Sequence, residues 1–144
     1  MDKYRIEIPE FCLVAMIGAT SSGKTSFALK HFKPTEVLSS DFFRGMVADD
    51  ENDQSASSDA FDLLYYAANK RLNGMKLTVI DATNIQERAR KEILDLAREQ
   101  NVHAAAIVLN LAELHRCEQE NCASALLVSS ILCAATIPLV LLIL

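Results

Sequence analysis

The stretch "CLVAMIGATSSGKTSFALKHF" (residues 12–32) limits the possible folds more than any other part of the chain. Gly18 and Gly23 enclose four residues, and Lys24 and Thr25 follow directly, so the spacing is G-x-x-x-x-G-K-T. An apolar run precedes it, and Phe27, Ala28 and Phe32 follow at helical intervals. Glycine is needed where backbone turns with positive φ or passes close to a ligand. Successive N–H groups on such a loop point inward at anionic oxygens, and the helix behind it adds its positive end. The spacing therefore predicts a strand, a phosphate-cradling loop and a helix, with Gly18, Ser21, Ser22, Gly23, Lys24, Thr25 and Ser26 around a nucleoside triphosphate. Lys24 reaches toward the β- and γ-phosphates, and the Thr25 hydroxyl takes a place on Mg²⁺. The plain alternative is a glycine-serine surface turn.

Length sets the scale of what surrounds this loop. The chain has 144 residues, enough for one domain with a real core but short for a kinase. Its net charge of −5 offers no general basic surface for nucleic acid, although a local basic patch remains compatible with it. Cys12, Cys117, Cys122 and Cys133 have none of the spacings that hold zinc, and read as unpaired thiols in a reducing cytosol. His31, His103 and His115 are scattered and read as ordinary residues. The first eleven residues mix charges with isolated apolar side chains, which is not the pattern of a signal peptide.

Strand and helix patterns alternate along the body. "LVAMIG" (13–18), "EVLSSD" (36–41), "KLTVID" (76–81) and "HAAAIVLNL" (103–111) read as strands. Between them, Phe61, Leu64, Tyr65, Ala68 and Leu72 share a helical face, with Ser58 as N-cap and Gly74 as stop. Asn84 with Glu87 resembles a capping box for a helix to about Glu99, and a short polar helix follows to about Asn121. The pattern predicts an α/β fold, three layers deep, with a mostly parallel sheet.

Ligands in such sheets sit beyond the carboxyl ends of the strands. The third strand ends at Asp81, in the manner of a carboxylate that orients Mg²⁺ through water; a turn aspartate is the alternative. The second ends "SSD", which puts Asp41 near the γ-phosphate, where a carboxylate accepts the proton of an attacking hydroxyl. A helix N-cap before "FFRGM" explains Asp41 equally well. Arg44 follows one turn later, placed either to fork onto an acceptor phosphate or simply to face solvent.

Together "IGATSSGKTSFALKHF", "SSDFFRG", "DDENDQ" and "DATN", in this order, closely resemble the N-terminal kinase module of bacterial polynucleotide kinase–phosphatases, over roughly residues 6–111. The resemblance implies a P-loop kinase-type fold and an RNA-repair enzyme that transfers the γ-phosphate of ATP to a 5′-hydroxyl RNA or DNA end. It also implies that Lys24 and Thr25 hold triphosphate and metal, Asp41 is the general base, Arg44 grips the acceptor's terminal phosphate and Asp81 supports the site. The alternatives are a small-molecule or protein kinase of the same fold, or a protein that binds ATP without reacting it.

The resemblance ends after "VLNL". There the family has a lid helix whose arginines cover the ATP phosphates, whereas this chain reads "AELHRCEQENCAS", with Glu118, Glu120 and the single Arg116. Transfer is accordingly expected to be slow, because one such arginine is worth on the order of 10³–10⁵ in turnover. The kinase module is thus read as partial, residues 1–121, followed by an uncharged hydrophobic tail, residues 122–144. Three explanations for the tail stand open. They are an aberrant gene end, a C-terminal membrane anchor in place of a purely cytoplasmic location, and strands "ALLVSSIL" and "IPLVLLIL" that complete the sheet.

Lys24→Ala is expected to abolish ATP binding, since the loop then has no side-chain cation at the β- and γ-phosphates. Calorimetric titration with ATP checks this; unchanged affinity would refute the phosphate-loop reading.

Overall fold

The computed structural model describes residues 7–109 and 141–143. Strand β1 (Cys12–Ile17) lies at the middle of the sheet, with five of its six residues buried, which is why its sequence is apolar without alternation. It pairs in parallel with β3 (Thr78–Asp81) on one side and β4 (His103–Val108) on the other. Strand β2 (Val37–Ser39) adds in parallel to β3. Leu141–Ile143 form β5, which pairs antiparallel with Ala105–Ile107 at the other edge. The order is β2-β3-β1-β4-β5, so the sheet is mostly parallel, as expected.

Helix α1 (Lys24–His31) packs on one face of this sheet, where Cys12, Val14, Met16, Ala28, Val79 and Ile107 form a core. Helices α2 (Ser40–Ala48), α3 (Ser57–Asn73) and α4 (Glu87–Glu99) cover the opposite face through a second core. Alternation along β1 divides it between the two, since Leu13 and Ala15 point toward the second core. The α3 stripe is Ala60, Leu64, Ala68 and Leu72, every fourth residue, all buried. The result is helix, sheet, helix, with the C-terminal ends of β1, β2 and β3 meeting on one rim.

Several local boundaries differ from the sequence reading. Ser58 lies inside the first turn of α3, whose N-cap is Ala56, and the side-chain cap belongs instead to Asp53 on the preceding 3₁₀ turn Gln54–Ala56. Asn84 does not begin a helix; α4 is capped by Gln86, and Asn84 is buried with a left-handed backbone (φ 48°). The second strand stops at Ser39, and Ser40 and Asp41 are already helical in α2. The short helix after β4, residues Arg116, Glu118 and Glu120, and the tail up to residue 140 lie outside the described residues. Among the described residues no helix is long and apolar enough to cross a membrane.

Leu64 has no exposed surface and sits where α3 meets the sheet. Leu64→Ala is expected to cost about 2–5 kcal/mol of stability through the cavity it leaves. Urea unfolding measures this; a loss well below that range would mean that α3 does not pack as described.

Candidate functional site

The loop between β1 and α1 is shaped by its two glycines. Gly23 has φ 86° and occupies the N-cap of α1, a left-handed position that an L side chain resists. At Gly18 (φ 157°) a Cβ would fall 2.5 Å from the Leu109 carbonyl oxygen and 2.7 Å from Ser22 Oγ, so only glycine fits without a shift. No side chain caps α1, and its first turn carries no acidic residue. The N–H groups at its start therefore have no competing side-chain acceptor in the helix itself.

Lys24 is almost fully buried, and its Nζ donates to the Ala19 carbonyl at 2.6 Å and to Ser22 Oγ at 3.5 Å. Burial lowers its pKa, while the nearby Asp81 and Asp41 carboxylates oppose that shift. The lysine thus lies in the field of both acids that the strand-end argument selected. Thr25 Oγ1 donates to Asp81 Oδ2 at 2.7 Å across 56 residues of sequence. Asp81 is 3% exposed. Its burial raises its pKa, against the opposing effects of the Thr25 hydroxyl and the Lys24 ammonium.

The opposite wall is the start of α2. Asp41 Oδ1 accepts from Arg44 in an ion pair and from Ser40 Oγ at 3.3 Å. Arg44 also donates through Nε to the Glu51 carbonyl at 2.8 Å, which ties it to the acidic loop before α3. Asp41 is therefore neither a strand-end residue nor an N-cap; it lies in the first turn of α2, whose N-cap is Ser39. A carboxylate is favourable there beside the helix N-terminus.

One cleft of about 640 Å³ joins these walls. Ser21, Gly23, Lys24, Thr25 and Ser26 line it from the loop and the start of α1, Asp41 and Arg44 from α2, and Asp81 from the end of β3. Gly18 and Ser22 do not line the cleft; Ser22 is buried behind the loop, where its backbone N–H donates to Ala19 O at 3.2 Å. Sequence reasoning missed Asn84, which also lines the cleft, and the Glu51 carbonyl that holds Arg44. The "DATN" run contained Asn84, but its spacing from Glu87 looked like a cap.

Thr25 and Asp81 supply a hydroxyl and a carboxylate already in contact, both hard oxygen donors of the kind Mg²⁺ takes alongside phosphate oxygens and water. The described residues hold no cluster of three or more His, Cys, Asp or Glu that would form an all-protein metal cage.

A mostly parallel sheet with this loop at its central strand and Asp81 at the end of the neighbouring strand defines a P-loop nucleotide-binding fold of the kinase type. The chain belongs to the AAA domain family, whose model matches residues 13–122. It is similar in structure to a chain of the Pnkp1/Rnl/Hen1 complex, with a TM-score of 0.61 and 19% identity over 83% of this chain and 42% of that one. A second structure, of the Pnkp1/Rnl/Hen1 RNA repair complex, gives a TM-score of 0.58 and 21% identity, covering 71% of this chain and 34% of the other. APS kinase CysC from Mycobacterium tuberculosis, in complex with AMPPNP and APS, gives 0.56 and 18% identity, covering 85% and 76%. The chain thus spans less than half the length of the Pnkp1-complex chains it matches. No curated protein matches it.

The raised pKa of Asp81 has a testable sign. The folded protein binds this proton more tightly than the unfolded chain, so stability falls as pH rises from the ordinary carboxylate pKa through the raised one. Above that window the buried charge is a constant cost. Metal-free Asp81→Asn is expected to lack this decline and to be at least as stable as the wild type at neutral pH. Tm measured against pH in EDTA checks it; a less stable variant throughout would show that the Thr25 and Lys24 contacts outweigh burial.

Proposed function

We propose that this chain is an ATP-dependent kinase module that phosphorylates the 5′-hydroxyl end of a polynucleotide. The observation that carries the reading is the placement of Asp41 and Arg44 across the same cleft from Lys24 and Thr25. A phosphate loop alone serves many nucleotide-binding proteins. A carboxylate and a guanidinium on the facing wall add what an acceptor needs, one group for its proton and one for its phosphate.

In this reading the loop N–H groups and Lys24 hold the β- and γ-phosphates. Thr25 and Asp81 would hold Mg²⁺, which would supply charge neutralisation at the phosphates. Arg44 holds the phosphate nearest the acceptor end and so aims the terminal hydroxyl at the γ-phosphorus. The acceptor oxygen forms a bond to that phosphorus as the bond to the β–γ bridging oxygen breaks. The hydroxyl proton passes to the Asp41 carboxylate, and ADP leaves. The matches to the Pnkp1/Rnl/Hen1 RNA repair complex support a polynucleotide acceptor. The match to APS kinase supports a small-molecule acceptor as the competing reading.

The test uses ATP labelled in the γ-phosphate with 5′-hydroxyl RNA, 5′-hydroxyl DNA and APS as separate acceptors. Label is expected on the oligonucleotide 5′ end, under single-turnover conditions, more slowly than the roughly 1–100 per second typical of kinases. Asp41→Asn is expected to lower that rate by about 10²–10⁴-fold with little change in ATP affinity. Transfer to APS and not to oligonucleotide would replace this reading by the small-molecule one. ATP binding with no acceptor labelled would leave a nucleotide-binding protein without catalysis.

A further inference from the structure

Asn84 combines three features that ordinary packing does not require. Its backbone is left-handed (φ 48°), its side chain is 2% exposed, and it lines the phosphate cleft. Nδ2 donates at 2.8 Å to the carbonyl of Met16, which lies 68 residues earlier near the end of β1. That bond fixes the amide, and its Oδ1 is left buried without a hydrogen-bond partner among the described residues. An unpaired buried acceptor is costly, so the amide is kept here for its bond to Met16 at the expense of one unmet hydrogen bond.

The surroundings indicate what the amide secures. Met16 and Asp81 are register partners on β1 and β3. One residue past β1, the Gly18 N–H donates at 3.0 Å to the Thr83 carbonyl. The turn that leaves β3 is thus bonded twice to the strand that enters the phosphate loop. Arg90 on α4 closes it from the other side, donating to the carbonyls of Asn84 and Ile85. β3 has only four residues; Asp81, its last, is paired with Met16 on one side and Ser39 on the other, and the bonded turn follows it directly. Asp81 must remain within hydrogen-bond reach of Thr25 although the two sit on different segments.

We infer that Asn84 is a positioning residue that locks the exit of β3 to the end of β1 and so holds the Asp81 carboxylate against Thr25 for Mg²⁺–ATP. The inference rests on the reading of Thr25 and Asp81 as the metal-side groups. In this role Asn84 acts through Asp81.

The test measures the Kd of ATP in Mg²⁺ and in excess EDTA, and takes the ratio as the metal-dependent gain. Asn84→Gly keeps the left-handed backbone accessible, and Asn84→Ser keeps a small polar group; circular dichroism establishes that each is folded. In both variants the gain is expected to fall by roughly 10–100-fold, the usual effect of removing a group that orients a metal ligand. The Kd in EDTA is expected to stay within about twofold, because the phosphate loop itself is untouched. In an Asp81→Asn background the same substitutions are expected to change the gain no further, since they act through that carboxylate. An unchanged gain, an equal weakening with and without metal, or an undiminished effect in the Asp81→Asn background would each overturn the role. Loss of folding in both variants would overturn it too, by making Asn84 a packing residue. A wild-type protein with no metal-dependent gain would instead overturn the metal reading of Thr25 and Asp81 on which it stands.

Discussion

Everything in this molecule hangs on β1 being hydrogen-bonded on both sides. A strand with parallel neighbours at each edge and helices over each face has no route to water, so its side chains must be apolar from end to end. That burial makes the strand rigid, and the phosphate loop begins where it ends. The loop is further joined to the ends of both neighbours: Gly18 bonds to the turn after β3, and the Leu109 N–H, after β4, donates to the Ile17 carbonyl. A loop that must present several N–H groups to one anion gains from such fixed ends, because little ordering remains to be done on binding.

Charge in the cleft is paired, with Lys24 and Arg44 set against Asp41 and Asp81. Lys24 is buried, and Asp81 is buried beside it. Each has its pKa shifted by burial and partly restored by the other. On the proposed reading, a triphosphate with Mg²⁺ would bring both signs of charge into the same space and give each buried ion a stronger partner. Stability given up in the free protein would in this way be recovered in the nucleotide complex. Arg44 is arranged differently. Its side chain is only 12% exposed, and it is held by Asp41 and by the Glu51 carbonyl, while the Asp41 side chain is 58% exposed to the cleft. The arginine is therefore already oriented, and its carboxylate partner remains open to an incoming group.

Much of this was legible in the sequence because it is local. The positive φ at Gly23, the close approach at Gly18, the apolar run of β1 and the four-residue stripe on α3 are each properties of neighbouring residues. Asp41 and Arg44 are three apart, and a helix brings such a pair together wherever it lies. Where local cues competed, the reading failed. Asn84 and Glu87 have the spacing of a capping box, and "SSD" continues a strand pattern, yet α4 is capped by Gln86 instead and α2 starts inside that strand pattern. At Asn84 a tertiary hydrogen bond, to the Met16 carbonyl, holds the chain out of the helix.

The sequence by itself determined that a phosphate loop joins a buried strand to a helix, and that an acid, Asp81, ends the third strand. Only the tertiary structure decided that β3 lies between β2 and β1, that Thr25 meets Asp81, and that the Asn84 amide reaches Met16. Those contacts join residues 56 and 68 positions apart. No local preference encodes them, because they follow from which strands pair, and pairing is fixed by how the whole chain buries its apolar faces.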